Sequence, residues 1–473
     1  MNTGELGGGR LVEKEHTLTR IAIIGAGLSG RLLALNLIRQ ASSEDSIRLV
    51  ERGDACYMGP AYSGEEDYLL LNVPAGRMGA FSQDPEHFLK WARAKGVPAG
   101  PWDFLPRRLY RDYILDQLHS AQQERRNGPS FEHLCEEITD IEVGQDGAIL
   151  HAQGKAIFSV DKAVLALGNF PPRHPPVQDQ RALSSWRYVR DPWAPGMLSS
   201  LGRDESVFLL GTGQTTVELI IALHRGGHKG RIFAVSRRGF LPLTHKGFEP
   251  YPSFFDEIRD EKRLPDVFRT VRKHIERAEK LGVDVRSVID SLRPDTQALW
   301  SGLPGDEKRR FLRHVFRYWE IIRSRIPPES EALLEGLRAS GQLEVLSGRI
   351  RDLVESEAAM EVRYSPTGGT RDEIVQAALV INTIGPEPEY QKVDHPLVKN
   401  LMQRGLIRPG PAGLGLDAQP NGAVIGRDGT ASRILYTLGS PMKGVLWEVI
   451  AAPEIRVQAE KLAGLLTEGD LVR

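Results

Sequence analysis

Two short stretches constrain this chain more than anything else in it: "IAIIGAGLSG" at Ile21–Gly30 and "LLGTGQTTVEL" at Leu209–Leu219. Each runs from an apolar segment through a glycine turn into a sequence with helical apolar spacing. That order predicts a buried parallel strand, a tight turn and a helix whose N-terminus faces the turn. In the first stretch Gly25 permits the turn, Gly27 lets the backbone approach a pyrophosphate, and Gly30 lets helix and strand pack closely. The helix begins at Leu28 and Ser29, and its free N–H groups and dipole favour an anion there. The next strand, "SIRLVERG", ends in Glu51, 21 residues after Gly30, with Arg52 beside it. A carboxylate at that place accepts the ribose hydroxyls of an adenosine. The glycines alone would also fit a merely structural turn. With the strand, the helix and the terminal acid they point to dinucleotide binding.

The second stretch departs from the pattern. Gly211 and Gly213 are in place and Gln214 and Thr215 open the helix, but Thr216 stands where the third glycine belongs. A Cβ there predicts a helix slightly further off its strand. The following strand, "GRIFAVSRRG", carries no acid and ends in Ser236, Arg237 and Arg238. A carboxylate at that position would repel a 2′-phosphate, whereas arginine binds one bidentately. The pair of loops therefore predicts FAD in the first site and NADPH in the second. The other reading of the arginine pair is a solvated turn.

Linker signals agree with two units. "VDKAVLALGNFPPRHPP" passes from an apolar strand (Ala163–Leu167) through Gly168 into prolines, and "AALVINTIGPEPEY" repeats that pattern at Gly385. The expected fold class is α/β, with two Rossmann-like dinucleotide-binding domains, the second nested in the first. Residues 20–190 and 386–473 would form the FAD domain, 191–385 the NADPH domain, and 246–335 a helical insertion within it. That insertion is longer than a βαβ crossover needs, which suggests a lid or substrate role. Residues 1–19, polar and glycine-rich, read as a disordered lead-in.

At 473 residues the chain has room for two or three domains. Its formal net charge of −1 argues against general affinity for nucleic acid or anionic membrane. Basic runs such as "EKRRFLRHVFR" are interleaved with acids and read as helix faces. No apolar run approaches the ~20 residues of a membrane span, and the first residues have no apolar core for a secretory signal. A cytoplasmic protein is expected. No His, Asp, Glu and Cys cluster has metal-ligand spacing.

Longer stretches carry a more specific resemblance. "LLLNVPAGRMGAFSQDPEHFLKW", "LPRRLYRDYILDQL", "VSRRGFLPLTH", "SLRPDTQALWSGLPGDEKRRFLRHVFRYW" and "LYTLGSPMKGVLWEVIAAPEIRVQAEKLA" resemble the bacterial FAD- and NAD(P)-binding oxidoreductases of the YdhS-like group, from about Arg20 onward. That group is distantly similar to the two-nucleotide flavin N-hydroxylating monooxygenases of ornithine and lysine, and has been linked to hydroxylation of heterocycles. The resemblance implies FAD and NADPH, and it places the "NVPAGRM" loop, with Asn72, Pro74, Arg77 and Met78, against the flavin ring. Two departures stand out: "GQTT" after the second loop, and Ser324 where a histidine is often found, which removes any carried-over role for that histidine.

Electrons brought by NADPH to a flavin must go onward. A redox disulfide needs two neighbouring cysteines, and the chain's two, Cys56 and Cys135, form no such pair. Oxygen activation through a flavin hydroperoxide, hydroxylating a small amine or heterocyclic substrate, is the preferred expectation. It needs a closed, dry pocket. Direct hydride transfer without oxygen insertion is the alternative, as is a non-catalytic FAD-binding redox sensor. Gly439 and Ser440 follow a late strand, Leu435–Leu438, at the place where related flavoproteins often put an acid near the ribityl chain. A helix from Gly444 is expected to point its N-terminus at the flavin, with Trp447 stacking on the flavin or simply packed, and Glu448 either a capping acid or a surface charge. For the substrate pocket the candidates are His245, Trp300, His314 and Trp319; His245 could instead reach the NADPH phosphate. By helical projection Arg313 and His314 cannot both face inward. The catalytic acid or base and the oligomeric state are left open.

Overall fold

The computed structural model describes residues 18–53 and 57–467; most of the expected lead-in and Cys56 lie outside them. Two mainly parallel sheets organise the rest. The first has six strands in the order Ala423–Ile425, Ala431–Thr437, Lys162–Leu165, Arg20–Ile24, Ser46–Glu51 and Ser130–Cys135. The second has seven: Glu373–Ala377, Met360–Pro366, Leu343–Glu355, Ile232–Ser236, Val207–Leu210, Leu379–Ile381 and Tyr188–Val189. A separate antiparallel sheet of Ile138–Val143, Ala148–Ala152 and Lys155–Val160 lies between the third and fourth strands of the first unit in sequence.

The α/β expectation with two Rossmann-like units holds. Each glycine-loop strand is central and parallel to both neighbours, Ser46–Glu51 and Lys162–Leu165 in one sheet, Ile232–Ser236 and Leu379–Ile381 in the other. Covered on both faces, these strands carry unbroken apolar runs rather than alternation. The two proline-rich exits are a structural echo as well, since each follows the strand beside a glycine-loop strand. The strand before Gly168 ends at Leu165, two residues earlier than the sequence suggests, and Ala166 donates its N–H to Ile24 O. Strands from both ends of the chain share the first sheet.

Helix Leu28–Gln40 is buried almost all round, because it packs between that sheet and the C-terminal helix Ala452–Thr467. This is why its sequence lacks a polar face. The helical insertion is displaced from its expected bounds. Its helices run from Leu264–Lys280 through Val285–Ser291, Thr296–Gly302, Gly305–His314 and Phe316–Arg323 to Pro328–Ala339. Residues 246–263 hold only one short 3₁₀ turn, Phe255–Glu257, because Pro250 and Pro252 break helical geometry. Among the described residues no helix is long and apolar enough to cross a membrane.

Candidate two-nucleotide site

The first loop is built as its sequence implies. Gly25 has φ +108°, and a Cβ there would lie 2.3 Å from Ala166 O. A Cβ on Gly30 would lie 2.0 Å from Gly25 O, so only glycine allows this approach. Gly30→Ala is expected to cost about 3 kcal/mol in overpacking, read as a lowered Tm of the purified protein. An unchanged Tm would contradict the close packing. In the second loop Gly211 makes the equivalent contact with Thr383 O, also at 2.3 Å. Thr216 is accommodated: it is fully buried, and its hydroxyl hydrogen-bonds that of Thr383 at 2.8 Å. A Cβ is therefore admitted at the place where the first loop forbids one.

Both helices start without a side-chain cap, on Gly27 and Gly213. A helix N-terminus left uncapped fits an anion, and beside Gly213 a Cβ would meet nothing within 4 Å. Glu51 sits at the end of its strand, where its carboxylate accepts the Ala26 N–H at 3.0 Å and the Gly53 N–H at 3.4 Å. These contacts leave acceptor capacity on the carboxylate.

Between the two sheets opens a cavity of about 1800 Å³. A single drug-sized ligand occupies about 300–1,000 Å³, so the space suits more than one. Residues of both units line it: Asn72, Arg77, Met78, Gly168 and Ser440 from the first, and Gly211, Gly213, Gln214, Thr215, Ser236, Arg237 and Gly385 from the second. His245, Trp319 and Trp447 join them, as does Ser324. Gly25, Gly27, Leu28, Ser29, Gly30 and Glu51 lie off this wall. Met58 and Gly59 come against Gly27 there, each about one van der Waals contact away. Gly439, φ +74°, is also off the wall and backs onto Ser29, tying the late strand to the first helix.

Several placements differ from those expected. His314 is exposed in the last turn of Gly305–His314 beside an equally exposed Arg313, so it does not line the cavity. Arg52, taken with Glu51 as an FAD-binding residue, is exposed, 3.8 Å from Glu137. Arg238 turns from the cavity to lie 4.8 Å over the Tyr318 ring. Trp300 is buried behind the wall, stacked on Trp447 at 4.5 Å. The helix expected from Gly444 is a single turn, Lys443–Leu446, too short to present a dipole to a flavin. Glu448 neither caps nor sits on the surface: it pairs with Arg323 at 2.8 Å and accepts the Trp319 indole N–H at 3.3 Å.

The electrostatics converge at two places. Burial and the guanidiniums of Arg317, Arg349, Arg173 and Arg238 lower the pKa of Arg237. Arg173, Arg237, Arg317 and Arg349 all line the cavity, and among the described residues neither Arg237 nor Arg349 pairs with a carboxylate. Such a cluster of like charges favours an anion. Deeper in, the Asn72 amide donates to Gln214 Oε1 at 2.6 Å and Gln214 donates to Arg325 O at 3.0 Å, so one polar chain joins the "NVPAGRM" loop, the second glycine loop and the insertion.

His245 belongs to the same junction. Its Nε2–H donates to Asn72 O at 2.9 Å, and burial pushes its pKa from 6.5 down to about 4. The ring is neutral near pH 7, and in that state it holds the loop. Because the folded pKa is depressed, the unfolded chain takes up this proton first as pH falls. Stability is lost between about pH 6.5 and pH 4, by about 2 kcal/mol for a partly wetted ring. His245→Gln should flatten that acid-side slope of Tm against pH; an unaltered slope would contradict the assignment.

Known proteins resemble the chain in part of its sequence and in its whole fold. Residues 22–170 match the family model described as FAD-NAD(P)-binding. No curated protein sequence matches. Among solved structures, ornithine hydroxylase PvdA from Pseudomonas aeruginosa superposes with a TM-score of 0.62 at 15% identity, covering 95% of this chain and 99% of that one. L-lysine 6-monooxygenase from Pseudomonas syringae gives 0.64 at 15% identity over 95% and 99%. Bacillithiol disulfide reductase Bdr from Staphylococcus aureus gives 0.55 at 11% identity over 95% and 98%. At these identities the likeness establishes the fold. The same fold serves hydroxylases and a disulfide reductase, so the choice of reaction falls to the site.

Proposed function

We propose that the chain is an FAD- and NADPH-dependent oxidoreductase, a monooxygenase that hydroxylates a small organic substrate, amine or heterocyclic, with molecular oxygen. One observation carries the reading: residues of both glycine-loop units line a single cavity, where two nucleotides can meet. The domain limits follow the sequence reading, with 20–190 and 386–473 around FAD and 191–385 around NADPH, except that the strand Tyr188–Val189 pairs into the sheet of the NADPH unit.

The helix start at Gly27–Gly30 holds the FAD pyrophosphate and Glu51 its ribose. The helix start at Gly213–Thr215 holds the NADPH pyrophosphate, while Arg237, with Arg349, Arg317 and Arg173, holds the 2′-phosphate. When bound, FAD would supply the redox chemistry between NADPH and the substrate. The Asn72–Gln214 hydrogen bond fixes the register between the two nucleotides, and neutral His245 keeps Asn72 in place. Trp319, Phe316 and Trp447 form an apolar wall that excludes water from the reacting centre. A disulfide relay has no support: Cys135 is exposed at the end of an edge strand.

The test measures NADPH oxidation and peroxide with and without small-molecule candidates under isotope-labelled oxygen. A substrate that lowers peroxide and acquires the label supports the reading. Substrate-independent turnover with an artificial electron acceptor, and no label in any product, would make the protein a flavin reductase.

A further inference from the structure

We propose that Lys443 binds a carboxylate on the substrate, so that this site takes an anionic molecule with an aromatic or apolar body. The inference rests on the oxidoreductase reading above and deepens it by naming the substrate class.

Lys443 lines the cavity. The side chain is half-buried, with its ammonium at the cavity wall. Its Nζ lies 5.4 Å from the centroid of the Phe316 ring and 5.3 Å from that of Trp447. Cation–π attraction offsets part of the burial, but a ring face replaces no hydrogen-bond acceptor, and among the described residues none bonds this ammonium. The two carboxylates near enough to act on it, Glu320 and Glu448, are already engaged by Arg317 and Arg323. Burial lowers its pKa. A half-buried ammonium without a protein acceptor is left to solvent or to a ligand, and a ligand carboxylate would supply the partner that the protein withholds.

The backbone beside it is shaped for this slot. Trp447 has φ 64° and ψ −71°, and the Glu448 N–H donates to Leu446 O at 2.8 Å across it, which makes a γ-turn of positive φ. Such a turn is strained for any side chain but glycine. It is held by the stack of Trp447 on Trp300 and by the edge contact with Phe311 at 5.1 Å. The turn puts both the Trp447 ring and Glu448 on the wall, with Glu448 held there by Arg323. A planar apolar body can lie along that wall while its carboxylate reaches Lys443. A cationic group would instead meet Lys443, Arg77, Arg293, Arg323 and Arg325, all on the same cavity. Of the acids on that wall, Asp290 is clamped by Arg325 through both oxygens, Glu320 pairs with Arg317 and Glu448 with Arg323, which leaves the exposed Glu249 and the buried Glu387.

Calorimetric titration of the FAD-loaded protein with benzoate and with benzylamine, one ring with opposite charges, tests this without turnover. Benzoate should bind at least about tenfold tighter than benzylamine, and Lys443→Gln should cost about tenfold in benzoate affinity while FAD content and Tm are kept. Lys443→Met serves as the second variant if the glutamine form folds poorly. Tighter binding of benzylamine, no binding of benzoate, or equal benzoate affinity in both Lys443 variants would overturn the proposal. So would a shifted flavin midpoint potential with benzoate binding unchanged, which would place Lys443 on the reduced flavin. Because binding is read alone, a failed oxygenation assay leaves this outcome separate.

Discussion

Glu218→Ala is expected to destabilise the protein by about 3–5 kcal/mol, the cost of leaving one partner of a buried ion pair behind. Glu218 lies in the helix Gln214–Arg225 of the second unit and pairs with Arg107, which opens the helix Arg107–Glu124 of the first. Their side chains are 12% and 13% exposed, so solvent screens the pair little. Arg107 also donates to Leu70 O at 3.0 Å and to Ala61 O at 3.2 Å, which fixes the guanidinium and prevents it from swinging to water. Burial raises the pKa of Glu218 while Arg107 opposes that shift, so the pair is the condition for the carboxylate to stay ionised there. Thermal unfolding should show a drop of about 10 °C. The double variant Arg107→Met/Glu218→Leu should recover most of it, because apolar isosteres remove both desolvation costs. A loss below about 1 kcal/mol would mean that water reaches the pair.

Arg237→Ala carries the second large effect. Charge-assisted hydrogen bonds to a phosphate are worth about 1.5–3 kcal/mol, so KM for NADPH should rise about 10- to 100-fold. KM for NADH, which lacks the 2′-phosphate, should hardly change. Arg349→Ala should act in the same direction and less, since Arg237 follows directly on the strand beside the second glycine loop. Equal effects on the two nucleotides would refute the 2′-phosphate assignment.

What could be read in advance was local. A strand, a glycine turn and a helix are encoded within about fifteen residues, and so Gly25, Gly30, Gly211 and the terminal Glu51 were legible. Arg237 was legible for the same reason. Its companions were not: Arg173 lies in a proline-rich exit, Arg317 in the helical insertion and Arg349 on the long strand Leu343–Glu355. Only the fold brings them to one wall. The Arg107–Glu218 pair, 111 residues apart, was hidden likewise. Lys443 stood within a quoted motif, but "KGVLWEVIAA" reads as a continuing helix, and nothing in it announces positive φ at Trp447. His314 was misplaced because projection on a short helix cannot tell which face its end presents.

The central claim is that one cavity brings NADPH to FAD. Anaerobic titration of the FAD-loaded protein with NADPH tests it most directly. The oxidised flavin absorbance should bleach equivalent for equivalent, and NADH should do the same only at much higher concentration. A flavin that stays oxidised under excess NADPH would contradict the two-nucleotide site itself.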